Sequence, residues 1–114
     1  MRLVYASRTG NVENLVNKLN ADALNINDAD GIAEDYILVT YTDGAGEVPF
    51  EVDEFLAKNQ AHLKAVIASG NMAYGDDNFC KAGEIIADSY GVPLLYKVED
   101  DGTDEDIAKI AELI

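Results

Sequence analysis

The chain has 114 residues and a mass of 12.3 kDa, which is the size of one compact domain. Hydrophobic residues make up 48% and charged residues 26% of the sequence, so the composition is that of an ordinary globular protein. The 8 Lys and Arg residues and 22 Asp and Glu residues give a formal charge of −14, which disfavours nucleic acids and anionic membrane surfaces as partners.

The first part of the chain predicts a strand, a helix and two further strands. Residues 3–6 form a short β-type run that leads into the polar turn 7–11. Apolar residues then recur with helical spacing from Val12 to Leu19, which predicts a helix with one face on a sheet. Residues 23–26 and 36–41 are the next β-type runs, and the turn-rich segment between them is too short for a crossover helix.

The second part predicts helices alternating with strands. After a loop at 42–48, a helix carries the apolar residues Val52, Phe55 and Leu56, and residues 65–68 form the fourth strand. A glycine-containing loop at 70–78 precedes the next two elements. The first is a helix that ends at Gly91 and carries apolar residues at helical spacing, namely Phe79, Ala82, Ile86 and Tyr90. The second is a fifth strand at 92–98.

The last helix is predicted from its first turn. Thr103 is a suitable N-cap, and the acidic residues 104–106 lie at the positive end of the helix dipole. Its buried stripe is expected to consist of Ile107, Ile110, Ala111 and Ile114. Strands alternating with helices predict one domain over residues 1–114, a three-layer α/β sandwich around a five-stranded parallel sheet.

Ligands of such sheets bind beyond the carboxyl ends of the strands, where the strand order reverses. This rule selects the loops 7–11, 42–48 and 70–78. The first loop combines two hydroxyls, a glycine and the free N–H groups of a helix start, with Arg8 as the nearby cation, so it is a candidate phosphate site. The sequence lacks G-x-G-x-x-G and G-x-x-x-x-G-K-[ST], which favours a monophosphate ligand over a dinucleotide or a triphosphate.

Several motifs carry a family resemblance. The S-x-T-G-N turn after the first strand resembles the phosphate loop of flavodoxins. VTYT-x-x-x-G-x-VP at residues 39–49 and ASGN with a nearby aromatic-Gly pair at 68–75 resemble the NrdI family, as do NF with Ala82 and the later VP and GT pairs. The similarity runs in one register from Leu3 to about Ile110, and it implies a flavodoxin-like fold with strand order 2-1-3-4-5.

The resemblance implies an FMN cofactor and no catalytic or metal-ligating residue. NrdI proteins are electron-transfer proteins whose reduced flavin reacts with dioxygen. The resulting oxidant assembles the dimanganese-tyrosyl radical cofactor of NrdF, the small subunit of class Ib ribonucleotide reductase, and a reductase supplies the electrons. By this resemblance the phosphate is held by Ser7, Arg8, Thr9, Gly10 and Asn11, the flavin ring is lined by Thr42, Asp43, Gly44, Ala45, Gly46, Gly70, Asn71, Tyr74 and Gly75, and the site is closed by Asn78 and Phe79.

Two positions depart from the family pattern. Ala45 stands where related sequences often carry a bulky aromatic residue, and Asp76-Asp77 makes the following loop one residue longer. We therefore expect Tyr74 to be the main aromatic contact of the flavin ring.

The sequence leaves two other functions open. A general flavodoxin that shuttles electrons and a ligand-free interaction domain are the alternatives, whereas a receiver domain would need an acidic cluster where this chain has Ser7-Arg8. The single histidine, His62, is expected at the surface, and the single cysteine, Cys80, as a small buried residue. Because the chain has no long apolar run and its start turns polar too early for a signal peptide, we expect a cytoplasmic protein.

Overall fold

The computed structural model describes residues 2–29, 31–44, 46–75 and 77–114. Within this part of the chain, parallel strands form one sheet in the order β2-β1-β3-β4-β5, which confirms the predicted fold class. The strands are β1 (Arg2–Tyr5), β2 (Ala23–Asn25), β3 (Tyr36–Thr40), β4 (Leu63–Gly70) and β5 (Leu94–Glu99), and the helices are α1 (Asn11–Leu19), α2 (Phe50–Asn59), α3 (Lys81–Tyr90) and α4 (Asp104–Leu113).

Two hydrophobic cores lie on the two faces of the sheet. Val4 and Leu38 point to the face covered by α2 and α3, while their neighbours Leu3 and Ile37 point to the face covered by α1 and α4. Successive side chains of a strand point to opposite faces, so an apolar run such as β3 supplies both cores at once. All five residues of β3 are buried, whereas Tyr41, the last residue of the predicted run, follows the strand and is half-buried.

Among its described residues, the connection between β2 and β3 contains no crossover helix. A short 3₁₀ turn, Ile26–Asp28, takes its place, and its N–H at Asn27 donates to Asn25 Oδ1 at 2.9 Å. Helix α4 begins as predicted, because Thr103 Oγ1 accepts the Asp106 N–H at 3.2 Å and the Asp106 carboxylate accepts the Thr103 N–H at 2.9 Å. This reciprocal pair is a capping box.

Several element boundaries differ from the prediction by one or two residues, and one helix buries a different stripe. Helix α3 begins at Lys81 and not at Phe79, because Cys80 before it has a left-handed backbone with φ 56°. Strand β5 begins at Leu94, since Pro93 has no N–H to donate to a ladder. The expected buried stripe of α4 is wrong at Ala111 and Ile114, which are exposed, and Ile107 is half-buried. Ile110 is the residue of that stripe that enters the core beside Leu15 and Val16 of α1.

The two residues singled out by type lie where they were expected. Cys80 is a buried free cysteine whose Sγ donates to Ala68 O at 3.3 Å, and burial raises the pKa of its thiol to about 12. His62 ends a 3₁₀ turn before β4, and its side chain is 40% exposed beside Asp35. Among the described helices, none has both the length and the apolar character needed to cross a membrane.

Candidate functional site

A cleft of about 390 Å³ lies at the carboxyl edge of the sheet, next to the β1–β3 pair where the strand order reverses. Its volume falls within the roughly 300–1,000 Å³ of small-molecule sites. The three loops selected from the sequence converge here. The lining residues are Ser7, Arg8, Thr9, Asn11, Val12, Tyr41, Thr42, Asp43, Gly44, Ser69, Gly70, Asn71, Tyr74, Asn78 and Asp100.

The turn between β1 and α1 offers hydrogen-bond donors to the cleft. Gly10 is the N-cap of α1 with φ 95°, and it supplies no side-chain cap. A Cβ at Gly10 would meet nothing within 4 Å, so the glycine is needed for its backbone angle and not for space. Ser7 Oγ accepts the Glu13 N–H at 3.3 Å. The first N–H groups of a helix have no partner within it, so this turn can bind an anion.

Arg8 is paired with a carboxylate across the cleft. Its Nη1 and Nη2 donate to Asp43 Oδ1 and Oδ2 at 2.7 and 3.0 Å, and its guanidinium carbon lies 5.0 Å from the centre of the Tyr41 ring. The Arg8 hydrogen bond holds the pKa of Asp43 below its ordinary value. The Tyr41 hydroxyl donates to Glu51 Oε1, and burial, followed by that carboxylate, raises the pKa of Tyr41 to about 12.

The loop after β3 is a tight turn closed at Asp43. The Asp43 N–H donates to Glu47 O and the Glu47 N–H donates to Asp43 O, both at 2.8 Å. Gly44 and Gly46 have φ 48° and 116°, which are angles that glycine adopts without strain. Thr42 Oγ1 donates to Ser69 O at 3.0 Å and so ties this loop to the end of β4.

The loop after β4 is held by its own asparagines. Asn71 Oδ1 accepts the Ala73 N–H at 2.7 Å, and Asn71 Nδ2 donates to Asp100 Oδ1 at 3.3 Å. Asn78 Nδ2 donates to Tyr74 O at 2.9 Å. Gly70 is required for close approach, because a Cβ there would lie 2.7 Å from the backbone nitrogen of Cys80. Tyr74 remains 55% exposed at the rim of the cleft.

Most residues selected from the sequence meet in this cleft. It is lined by Ser7, Arg8, Thr9, Asn11, Thr42, Asp43, Gly44, Gly70, Asn71, Tyr74 and Asn78. Gly10, Gly46, Gly75 and Phe79 belong to the same segments but do not line it. Ala45, at the position of the expected aromatic residue, and Asp76, in the lengthened loop, lie outside the described residues.

Four lining residues were not selected from the sequence. Tyr41 was assigned to the end of the third strand, and Ser69 lies between the predicted fourth strand and the loop that follows it. Val12 was assigned to the buried face of the first helix. Asp100 was not assigned to any of the three loops. Its position directly after the fifth strand was the available signal, because the carboxyl end of every parallel strand lies at this edge of the sheet.

The residues of the cleft fit FMN. Hydroxyl and N–H donors at the start of α1 suit a phosphate, and Tyr74 offers an aromatic face to a flat ring. The Arg8–Asp43 pair brings no net charge into the cleft. In a chain with a formal charge of −14, the phosphate would have to be held by these local donors.

The parallel sheet, its strand order and the cleft at the reversal point define a flavodoxin-like protein. Two solved structures share this fold: a short-chain flavodoxin associated with a bacterial microcompartment and oxidised Flavodoxin 2 from Bacillus cereus. The first has a TM-score of 0.76 at 23% identity, with 97% of this chain and 90% of that chain covered. The second has a TM-score of 0.70 at 25% identity, with 98% and 92% covered.

Sequence relatives identify the family more narrowly. Residues 3–112 match the family model described as NrdI Flavodoxin like. Protein NrdI of Macrococcus caseolyticus is 45% identical over 108 residues, with 94% of this chain and 83% of the relative covered. The SPbeta prophage-derived protein NrdI of Bacillus subtilis is 38% identical over 114 residues, with 96% and 88% covered. The chain belongs to the NrdI family of flavodoxin-like proteins; FMN is its cofactor, and the family associates it with ribonucleotide reductase.

Proposed function

We propose that this chain is a cytoplasmic redox protein that activates NrdF, the small subunit of a class Ib ribonucleotide reductase. Bound FMN, once reduced by an electron-donating reductase, would react with dioxygen to supply the oxidant that assembles the dimanganese-tyrosyl radical cofactor of NrdF. The observation that carries the proposal is the donor-rich cleft at the strand-order reversal, in a chain that matches the NrdI family over residues 3–112.

The phosphate end of the site is assigned to the turn before α1. Thr9 and Asn11 line the cleft, and Gly10 turns the chain into the helix with φ 95°. Neutral hydroxyl and N–H donors hold a phosphate by hydrogen bonds that its charge strengthens. With such donors, the fixed positions of the hydroxyl and N–H groups orient the ligand, and a mobile cation does not.

The ring end of the site is assigned to the loops after β3 and β4. Side-chain cover is thin there, because Gly44 and Gly70 line the cleft. A Cβ at Gly44 or Gly75 would meet nothing within 4 Å, so open space adjoins both loops. A carrier of electrons gains from limiting access of dioxygen to its flavin, whereas a generator of oxidant requires that access. The open loops therefore favour activation of NrdF over a general electron shuttle.

The decisive experiment measures the tyrosyl radical of a cognate, manganese-loaded NrdF by electron paramagnetic resonance. Reduced protein with dioxygen should give radical, while oxidised protein or protein stripped of FMN should not. The fully reduced protein should also reoxidise rapidly in air. Because the chain is strongly acidic, association with a complementary basic surface on NrdF should weaken as salt rises.

The cofactor is checked separately by extraction and chromatography, which should recover one FMN per chain. Recovery of FAD, or a colourless protein that ignores added FMN, would contradict the flavin site. A radical yield no higher than without the protein, combined with efficient electron delivery to an unrelated enzyme, would instead favour the electron shuttle.

A further inference from the structure

We propose that Arg8 is a positioning residue that holds the loop after β3 beside the flavin ring, and that it is not a ligand of the FMN phosphate. The proposal rests on the placement of FMN given above, but it does not depend on activation of NrdF. The two can therefore fail separately, since flavin binding is measured without any partner.

The geometry of Arg8 carries the first step. Nη1 and Nη2 each donate one N–H group to an oxygen of Asp43, at 2.7 and 3.0 Å. This is the bidentate arrangement that a guanidinium would otherwise offer to a phosphate. One face of the guanidinium also lies over the Tyr41 ring, with 5.0 Å to its centre. Arg8 is thus held towards the β3 loop by two independent contacts, although it is part of the turn before α1.

Asp43 holds the base of the loop after β3. Its backbone N–H and C=O both pair with Glu47, so Asp43 is the closing residue of the turn that carries Gly44 into the cleft. Fixing the Asp43 side chain fixes the base of that turn. Arg8 therefore connects the two loops that flank the reversal of strand order, and its effect on a ligand passes through Asp43 and Gly44.

Arg8 also changes the net charge of the residues that line the cleft. Asp43 and Asp100 both line the cleft, and Arg8 neutralises the first of them. Reduction adds negative charge to a flavin, so an unpaired carboxylate in the cleft would oppose it. Removing Arg8 should lower the reduction potential of FMN, and removing the Asp43 charge alone should raise it. Removing both charges should return the potential towards that of the parent protein.

The test compares FMN with riboflavin, which has the same ring but no phosphate. Protein stripped of flavin is titrated with each ligand for the parent, Arg8→Gln, Asp43→Asn and the double variant. We expect each variant to bind FMN and riboflavin more weakly than the parent, and by the same factor for both. The factor should be about two- to fivefold, which is the effect of losing a partly exposed ion pair. The double variant should lose no more flavin affinity than either single variant, because all three variants break the same Arg8–Asp43 contact.

Thr9→Ala is the matched control, since a lost phosphate contact should weaken FMN and leave riboflavin unchanged. Arg8→Lys keeps the charge but loses the planar fork, so it should weaken both flavins with a smaller change in potential than Arg8→Gln. This variant also serves if Arg8→Gln fails to fold. The proposal is overturned if Arg8→Gln weakens the binding of FMN alone, or if it binds both flavins as tightly as the parent. It is also overturned if Arg8→Gln and Asp43→Asn shift the reduction potential in the same direction.

Discussion

Gly70→Ala is expected to damage both the fold and the flavin site through a single contact. The added methyl group would lie 2.7 Å from Cys80 N, 3.3 Å from Cys80 Sγ and 3.4 Å from Cys80 Cα. Because the nearest atom is backbone, it cannot rotate aside, and the segment before α3 must move. Overpacking of this kind costs about 1–3 kcal/mol. For a domain of this size, that corresponds to a decrease in Tm of about 4 °C or more.

The same displacement should reach the cleft. Cys80 follows Asn78 closely, and Asn78 both lines the cleft and holds Tyr74 O at 2.9 Å. Gly70→Ala should therefore weaken FMN binding as well as lower stability, which thermal unfolding and flavin titration measure separately.

Gly91→Ala provides a matched control for that loss of stability. Gly91 ends α3 with φ 66°, does not line the cleft, and would place its Cβ in open space. Its alanine variant should lose about 1–2 kcal/mol from the left-handed backbone while FMN affinity stays unchanged. A Gly70→Ala protein with the parent's Tm, or with the parent's FMN affinity, would refute the proposed role of this contact.

Three further variants test the site and the last helix. Thr9→Ala should weaken FMN binding about ten- to a hundredfold, the effect of losing one hydrogen bond to a charged group, as measured by titration alongside a thermal melt. Thr103→Ala should lower the free energy of unfolding by about 1 kcal/mol in urea, because it removes the N-cap of α4. Hydrogen bonds from the Thr103 backbone and then the Tyr96 hydroxyl hold the pKa of Asp106 below its ordinary value of 3.8, so its stabilisation is complete above that pH and disappears as the pH falls through the lowered value. Asp106→Asn should therefore be less stable than the parent at pH 7 and lose less stability on acidification, as followed by urea unfolding from pH 7 to pH 3.

Each of these expectations has an opposing result. Unchanged FMN affinity in Thr9→Ala would place the phosphate away from the α1 turn. A Thr103→Ala protein as stable as the parent would mean that the capping box contributes nothing measurable. Parallel stability curves for Asp106→Asn and the parent across the acid range would show that the Asp106 carboxylate has the same pKa in the folded and unfolded chains.

Local patterns in the sequence were sufficient for the order of elements and for the edge of the sheet at which the cleft lies. The spacing of apolar residues in α1 and the continuous run in β3 depend only on which faces of a helix or strand are buried. The start of α4 depends on a contact between residues three apart. The cleft was predicted because parallel strands bring their following loops to one edge, whatever the details of packing.

Tertiary structure determined how the loops are connected to one another. Arg8 is part of the turn before α1, yet its partner Asp43 is 35 residues away, and the two meet only because β1 and β3 are neighbours in the sheet. Asp100 enters the cleft for the same reason, since Asn71 at the end of β4 contacts it from the adjacent strand. Helix α3 begins two residues late because Cys80, which packs against Gly70, has a left-handed backbone. Such contacts join residues far apart in the chain, so they depend on strand adjacency and close packing, which local periodicity does not contain.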